Sequence, residues 1–395
     1  MSSREHWGWS AVLRAAGWPL RLHDTERRLA WARVVEEQRG LYRIEGGARG
    51  RAEVSGRFRH DAASAADFPA VGDWVGVAPS EGASIIHVRL ERRSTVSRAA
   101  PGRPVDEQVI AANVDIIFLV TALTQDLNPR RLERYLAMVW DAGATPVVVL
   151  NKADLSDDPE RESAAIRQRL PHVDVVSVSA LSETAQTALS PYLQPARTVA
   201  LLGMSGVGKS TLVNRLLGGD HLKVGDVRES DGRGRHTTTS RQLVELPGGA
   251  LLIDTPGMRE LQLWSDESSV EQAFDDIAAL ASGCRFDDCG HGSEPGCAVV
   301  QAVASGQLDE DRLANYQRLL REAAFEARQA RQGGRSRPES AGGSTPPRRP
   351  GRCTGIAIGN NASARGSWLV ARGSWLVGGR GNGVDEQYVT ERSGQ

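Results

Sequence analysis

Thr198-Val-Ala-Leu-Leu-Gly203-Met204-Ser205-Gly206-Val207-Gly208-Lys209-Ser210-Thr211-Leu-Val-Asn-Arg-Leu-Leu217 is the stretch on which the fold turns. The apolar run TVALL reads as a buried strand, and STLVNRLL has the apolar spacing of a helix. The loop between them fits G-x-x-x-x-G-K-[S/T], with glycines at 203, 206 and 208. Such a loop turns the backbone N–H groups of Gly203, Met204, Ser205, Gly206, Val207 and Gly208 around phosphate oxygens. Lys209 is spaced to reach β- and γ-phosphates, and the Ser210 hydroxyl to ligate Mg2+. Thr211 continues the first helical turn, whose N-terminus adds its positive end. Only three of the 48 basic residues are lysine, at 152, 209 and 223. In a chain so biased to arginine, two lysines kept inside motifs mark places that need a compact ammonium.

Three further loops follow apolar strands. Asp254-Thr-Pro-Gly257 follows ALLI; its Asp is expected to hold Mg2+ through water and its Gly257 amide to contact the γ-phosphate. Asn151-Lys152-Ala-Asp154 follows TPVVVL. The Asp154 carboxylate can accept from the N1–H and exocyclic amine of guanine, a donor pair that adenine lacks. Asn151 can bond the other edge of the base, and the Lys152 stem can cover its face. Ser179-Ala180-Leu181, after VDVVSV, fits a short loop whose backbone N–H meets guanine O6. Strands each running into a ligand loop imply an open α/β sheet, whose ligands gather at the carboxyl ends of its strands.

The order of these loops is unusual. In ordinary GTPases the phosphate loop comes first, whereas here 151 and 179 precede 203, the threonine-rich 236–239 and 254. A circular permutation preserves the site because chain termini lie at the surface. It also makes Asp254-Thr-Pro-Gly257, which reads as the second switch of a GTPase, lead directly into whatever follows it.

Upstream, WARVVEE, GLYRIEG, RAEVSGRF, GDWVGVAP and ASIIHVRLE are strand-like runs separated by turn residues, the pattern of a small barrel of the OB type. Residues 1–98 carry 16 arginines against 12 acidic residues, a mildly basic balance. Downstream, Cys284-x4-Cys289-x-His291-x5-Cys297 matches a closed tetrahedral zinc site with no open catalytic position. DRLANYQRLLREAAFEARQA reads as a charged helix. The expected organisation is multidomain: a lead-in over 1–29, an OB-type β-barrel over 30–98, a circularly permuted α/β P-loop GTPase domain over 105–265, a C-terminal α-helical zinc-binding domain over 266–330, and a disordered Arg/Gly/Pro-rich tail over 331–395. The tail repeats ARGSWLV from Ala364 and again from Ala371. No apolar run approaches the roughly 20 residues of a membrane span, and the start lacks a signal-peptide segment. A cytoplasmic, monomeric chain is expected.

Barrel, permuted motif order and zinc module together resemble the ribosome small-subunit-dependent GTPase family (RsgA-like), over roughly residues 30 to 325. Gly234-Arg-His236-Thr-Thr238-Thr239, GMSGVGKST and DTPGMREL carry the resemblance. It implies GTP hydrolysis stimulated by the small ribosomal subunit late in its maturation, release on hydrolysis, and contacts of barrel and zinc module with rRNA. In that family a hydrophobic residue, here Met258, replaces the water-orienting glutamine, and His236 is the candidate to position water. Thr238 or Thr239 is expected to close over Mg2+ and the γ-phosphate. A metabolic nucleotide kinase is disfavoured by N-K-x-D. An RNA-binding module with a vestigial nucleotide is disfavoured by the presence of Lys209, Ser210 and Asp254 together.

Overall fold

The computed structural model describes Trp7 and residues 28–38, 40–100, 103–124, 127–219, 241–254, 267–292 and 294–333. His236, Thr238, Thr239, Gly257 and Met258 lie outside the described residues, as do nearly all of 1–29 and everything after Gly333.

The five upstream runs form β1 (Ala30–Gln38), β2 (Leu41–Gly46), β3 (Gly50–Val54), β4 (Trp74–Ala78) and β5 (Ser84–Arg89). Their order is β1-β2-β3-β5-β4, and β4 returns to pair with β1, so the barrel is closed. Alternate residues fill it, with Ala32, Val34, Ile44, Val75, Val77 and Ile86 fully buried. The run RAEVSGRF does not stay extended. Ser55 ends β3, and its hydroxyl accepts from the Phe58 amide at 3.0 Å, capping the short helix α1 (Gly56–Asp61).

β1 is buried on both faces because it serves two sheets. Its inward residues line the barrel, while Trp31 packs with Trp74 and Leu90 and Val35 joins the α/β core. Arg33 shares that outer face and is 2% exposed. Its guanidinium donates to the carbonyls of Gly72, Trp7 and Asn113, and burial pushes its pKa down to about 10. A hairpin of β6 (Thr95–Ala100) and β7 (Arg103–Ala112) spans the stretch between barrel and α/β region.

The α/β sheet contains β8 (Ile116–Ala122), β9 (Thr145–Asn151), β10 (Asp174–Ser177), β11 (Thr198–Leu202), β12 (Arg241–Glu245) and β13 (Leu251–Asp254). The strands β10-β9-β8-β11-β13 are parallel, and β12 adds antiparallel to β13. The far side of β12 pairs with β1, Glu36 opposite Gln242 and Glu37 opposite Arg241, so barrel and α/β sheet are hydrogen-bonded into one. Both faces are covered, as the continuous apolar runs require. Phe118 and Val120 pack with Leu212, Val213 and Leu216 of α5 (Lys209–Leu217) and with Leu189 of α4 (Thr184–Leu189), whereas Ile117 and Leu119 join Leu132 and Leu136 of α2 (Pro129–Asp141) and Ile166 of α3 (Pro159–Arg169).

The face bearing α2 also receives α6 (Glu267–Ala273), α7 (Asp275–Ala281), α8 (Ala298–Ala304) and α9 (Glu310–Gly333). Phe274, Ile277, Leu313, Tyr316 and Leu319 continue the same core. Inside this junction Glu133 of α2 is fully buried and accepts from Arg169 at 2.6 Å, Arg312 at 2.8 Å and Asn315 at 2.5 Å. Arg312 also holds Asp276 at 2.6 Å and lies 4.7 Å over the Phe274 ring. No helix among the described residues is long and apolar enough to cross a membrane.

Candidate functional site

Four of the motif loops leave the carboxyl ends of parallel strands of one sheet, β8 lying between the pair β10-β9 and the pair β11-β13. Asn151 ends β9, Ser179 follows β10, Gly203 follows β11 and Asp254 ends β13. Order along the chain therefore matters little, because lateral strand pairing brings the loops together.

The phosphate loop is tight enough to exclude side chains at two of its glycines. Gly203 has φ 153°, and a Cβ there would lie 2.1 Å from the Val120 carbonyl oxygen. Gly208 has φ 94°, and a Cβ would meet the Asn151 side-chain nitrogen at 2.3 Å. Helix α5 starts at Lys209 with Gly208 as its cap and no side chain closing it, so its first N–H groups remain directed into the loop. Ser210 and Thr211 lie in that first turn, half-buried. Lys209 Nζ donates to the Gly203 carbonyl at 2.6 Å and to that of Met204. The ammonium thus sits across the mouth of the loop.

Asn151, 1% exposed, joins three loops. Its Nδ2 donates to the Val207 carbonyl at 2.8 Å, and its Oδ1 accepts from the Ala180 amide at 2.9 Å. The sequence reading gave Asn151 to an edge of the base and a backbone N–H of the Ser179–Leu181 loop to O6. The Asn151 side chain and the Ala180 amide are bonded to each other. Lys152 takes the left-handed conformation, φ 61°, and opens a 3-10 turn from Ala153 to Leu155 that leaves Asp154 exposed at the rim. Residues that the sequence reading missed hold the rim in place. Arg215 of α5 donates to the Leu181 carbonyl at 2.6 Å and the Ala180 carbonyl at 3.3 Å. Nothing in its sequence position marks it, since it is one arginine among many on a helix.

The second cluster is built on the loop between α7 and α8. The ligand atoms of Cys284, Cys289, His291 and Cys297 all lie within 4.8 Å of one another. Three separations are 3.6 Å (Cys297 Sγ to His291 Nδ1), 3.7 Å (Cys284 Sγ to His291 Nδ1) and 3.9 Å (Cys284 Sγ to Cys297 Sγ). A tetrahedral ion with bonds of about 2.3 Å to sulfur and 2.0–2.1 Å to nitrogen has edges of about 3.5–3.8 Å, so the donor set fits zinc. His291 is held with φ 55°, a strained backbone that is expected where function over-determines it. Gln317 of α9 donates to the His291 carbonyl at 2.8 Å, and the Glu294 carboxylate accepts from the Gly290 and Gly292 amides.

Comparison with known proteins settles the family. The chain is 50% identical over 288 residues, 70% of its length, to the small ribosomal subunit biogenesis GTPase RsgA of Opitutus terrae, covering 78% of that protein. The chain belongs to the RsgA GTPase family. The model of the RsgA GTPase matches residues 89–264, which include all the nucleotide motifs. A second relative, RsgA 2 of Lactiplantibacillus plantarum, is 46% identical over 76% of this chain and 85% of its own. Among solved structures, YjeQ from Thermotoga maritima aligns over 75% of this chain and 98% of its own, with a TM-score of 0.58 and 26% identity. YloQ, described as a circularly permuted GTPase, aligns over 77% and 98% with a TM-score of 0.55; at 24% identity it speaks for the fold alone. The RsgA fold expected from the motifs is therefore the fold found, barrel and permuted α/β sheet included, and the chain is a GTPase.

Proposed function

We propose that this GTPase binds the small ribosomal subunit in the cytoplasm as a monomer, grips its rRNA through barrel and zinc module, and hydrolyses GTP at a late step of maturation to drive its own release. The observation that carries the nucleotide part is the Asn151 bridge, which welds N-K-x-D, phosphate loop and S-A-L into one site. The names of the relatives support the ribosomal part.

Within that site Asp154 reads guanine, Lys152 covers the base, and the loops at 179–180 and 203–208 hold O6 and the phosphates. Lys209 neutralises the β- and γ-phosphates. Ser210 and Asp254 hold Mg2+, which screens the phosphate charge when bound. Thr238 or Thr239 and the Gly257 amide close over the γ-phosphate, and His236 aligns water. Met258 cannot orient water, so the isolated chain is a slow GTPase. Contacts with the subunit then offset the conformational entropy of fixing the 236–239 loop, which makes activation conditional on that partner.

Single-turnover hydrolysis with and without purified small subunits tests this reading. Wild type is expected to be stimulated by subunits. His236→Ala is expected to keep its GDP affinity and lose roughly 10²–10⁴-fold of the stimulated rate, the scale of one proton-handling group. Absence of stimulation in wild type rejects the ribosomal role, and full stimulation of His236→Ala removes that residue from it.

Zinc would be held by Cys284, Cys289, His291 and Cys297, and in such a closed site it is a cross-link rather than a reagent. One zinc per chain is expected by metal analysis, lost in Cys289→Ser together with protease resistance of 284–297. GDP affinity should change little, since the cluster lies on the loop between α7 and α8 and the phosphate loop between β11 and α5. Full zinc content in Cys289→Ser would refute the assignment.

A further inference from the structure

Helix α2 carries arginines at 130, 131 and 134, and the structure treats them differently. Arg130 donates to Asp311 at 2.8 Å, and Arg134 pairs with Glu322, both on α9. Successive residues turn by roughly 100° around a helix, and Arg131 reaches Met204 of the phosphate loop instead of α9. Its guanidinium rests on the thioether of Met204. Among the described residues no carboxylate lies within ion-pair distance of it. It lines a shallow cleft with Thr121, Asn128, Tyr135, Met204 and Val207. Lys209 Nζ lies on the other side of the same segment, on the carbonyls of Gly203 and Met204. Two cations from different elements thus converge on the first two residues of the phosphate loop, and among the described residues the acceptor that Arg131's guanidinium meets is a weak one, a thioether sulfur.

We propose that Arg131 is a charge partner of the γ-phosphate of bound GTP, supplied in cis from α2. The inference rests on the phosphate-loop reading of Gly203–Ser210. In hydrolysis the oxygen of water bonds to the γ-phosphorus while the bond to the β–γ bridging oxygen breaks. The bridging oxygen leaves on GDP with the electron pair, and the proton of water passes to the phosphate product or solvent. Negative charge spreads over the γ and bridging oxygens on the way, and a guanidinium fork matches that geometry. The thioether of Met204 is a weak acceptor that gives way readily to an anion. GDP lacks the γ group, so Arg131 separates GTP from GDP in affinity as well as rate.

The test measures affinity for GDP and for a non-hydrolysable GTP analogue, with single-turnover hydrolysis on small subunits. Arg131→Ala is expected to weaken the GTP analogue about tenfold, leave GDP within about twofold, and lower hydrolysis roughly 10³-fold, the lower end for an arginine acting on this transition state. Arg131→Lys should recover affinity more than rate, since an ammonium lacks the fork. Arg130→Ala removes an equal charge and should match wild type in both. Equal weakening of GDP and GTP analogue by Arg131→Ala would mean that Arg131 merely props the loop, and no change in either would exclude any role. If Lys209→Ala leaves both nucleotides bound as in wild type, the phosphate-loop reading fails first.

Discussion

Asn151→Ala is expected to reduce GDP and GTP affinity by roughly 10²–10³-fold. The side chain is buried and is the donor to Val207 and the acceptor for Ala180. Removing it leaves the buried Ala180 amide and the half-buried Val207 carbonyl without this partner, at about 1–3 kcal/mol each, and each 1.4 kcal/mol is about tenfold in affinity. It also frees the space that Gly208 now shares with Nδ2, so the phosphate loop loses a wall. Asn151→Asp keeps the acceptor but sets a carboxylate against the Val207 carbonyl, and should bind no better than the alanine variant. Titration calorimetry with GDP, beside a thermal melt to show that the chain is folded, measures this. Affinity within threefold of wild type would show that the three loops hold together without the bridge.

Glu133→Ala is expected to destabilise the chain by about 3–5 kcal/mol, the range for removing one partner of a buried ion pair. Glu133 is the meeting point of Arg169, Arg312 and Asn315, and it lies on α2 while two of these lie on α9. Burial works against the Arg312 charge, but Asp276 and Glu133 together keep its pKa above the ordinary value. Without Glu133 the guanidinium stays buried with half its compensation. Urea unfolding should show the loss, and proteolysis should begin at the C-terminal helices. Replacing Glu133 and Arg312 together by leucine should recover a good part of the stability, because no uncompensated charge then remains. A double variant as unstable as the single one would mean that helix packing, rather than charge, is what Glu133 supports.

Much of this molecule is legible from short runs, because each nucleotide loop follows a continuous apolar strand and a local motif fixes its chemistry. Lys209, Asn151 and the glycines were marked by spacing alone. The cysteine cluster was marked in the same way, since its four ligands lie within 14 residues and local chain geometry brings them to tetrahedral separations. The barrel was legible as five runs with turn residues between them, except where Ser55 capped a helix that strand-like side chains had masked.

What only the tertiary structure decided lies at the junctions. Nothing local says that β1 continues from the barrel onto β12, that Arg33 bridges Gly72, Trp7 and Asn113, or that Glu133 and Arg312 meet across 179 residues. In a chain where nearly every cation is arginine, residue type cannot separate Arg131 and Arg215 from those at the surface. The sequence by itself marked which apolar strands run into ligand loops and which residue types each loop carries, because those depend on neighbours within a few residues. Which arginines face the phosphate loop, and which loop the Ala180 amide serves, depended on packing between elements far apart in the chain, where burial and unpaired polar groups select the partner.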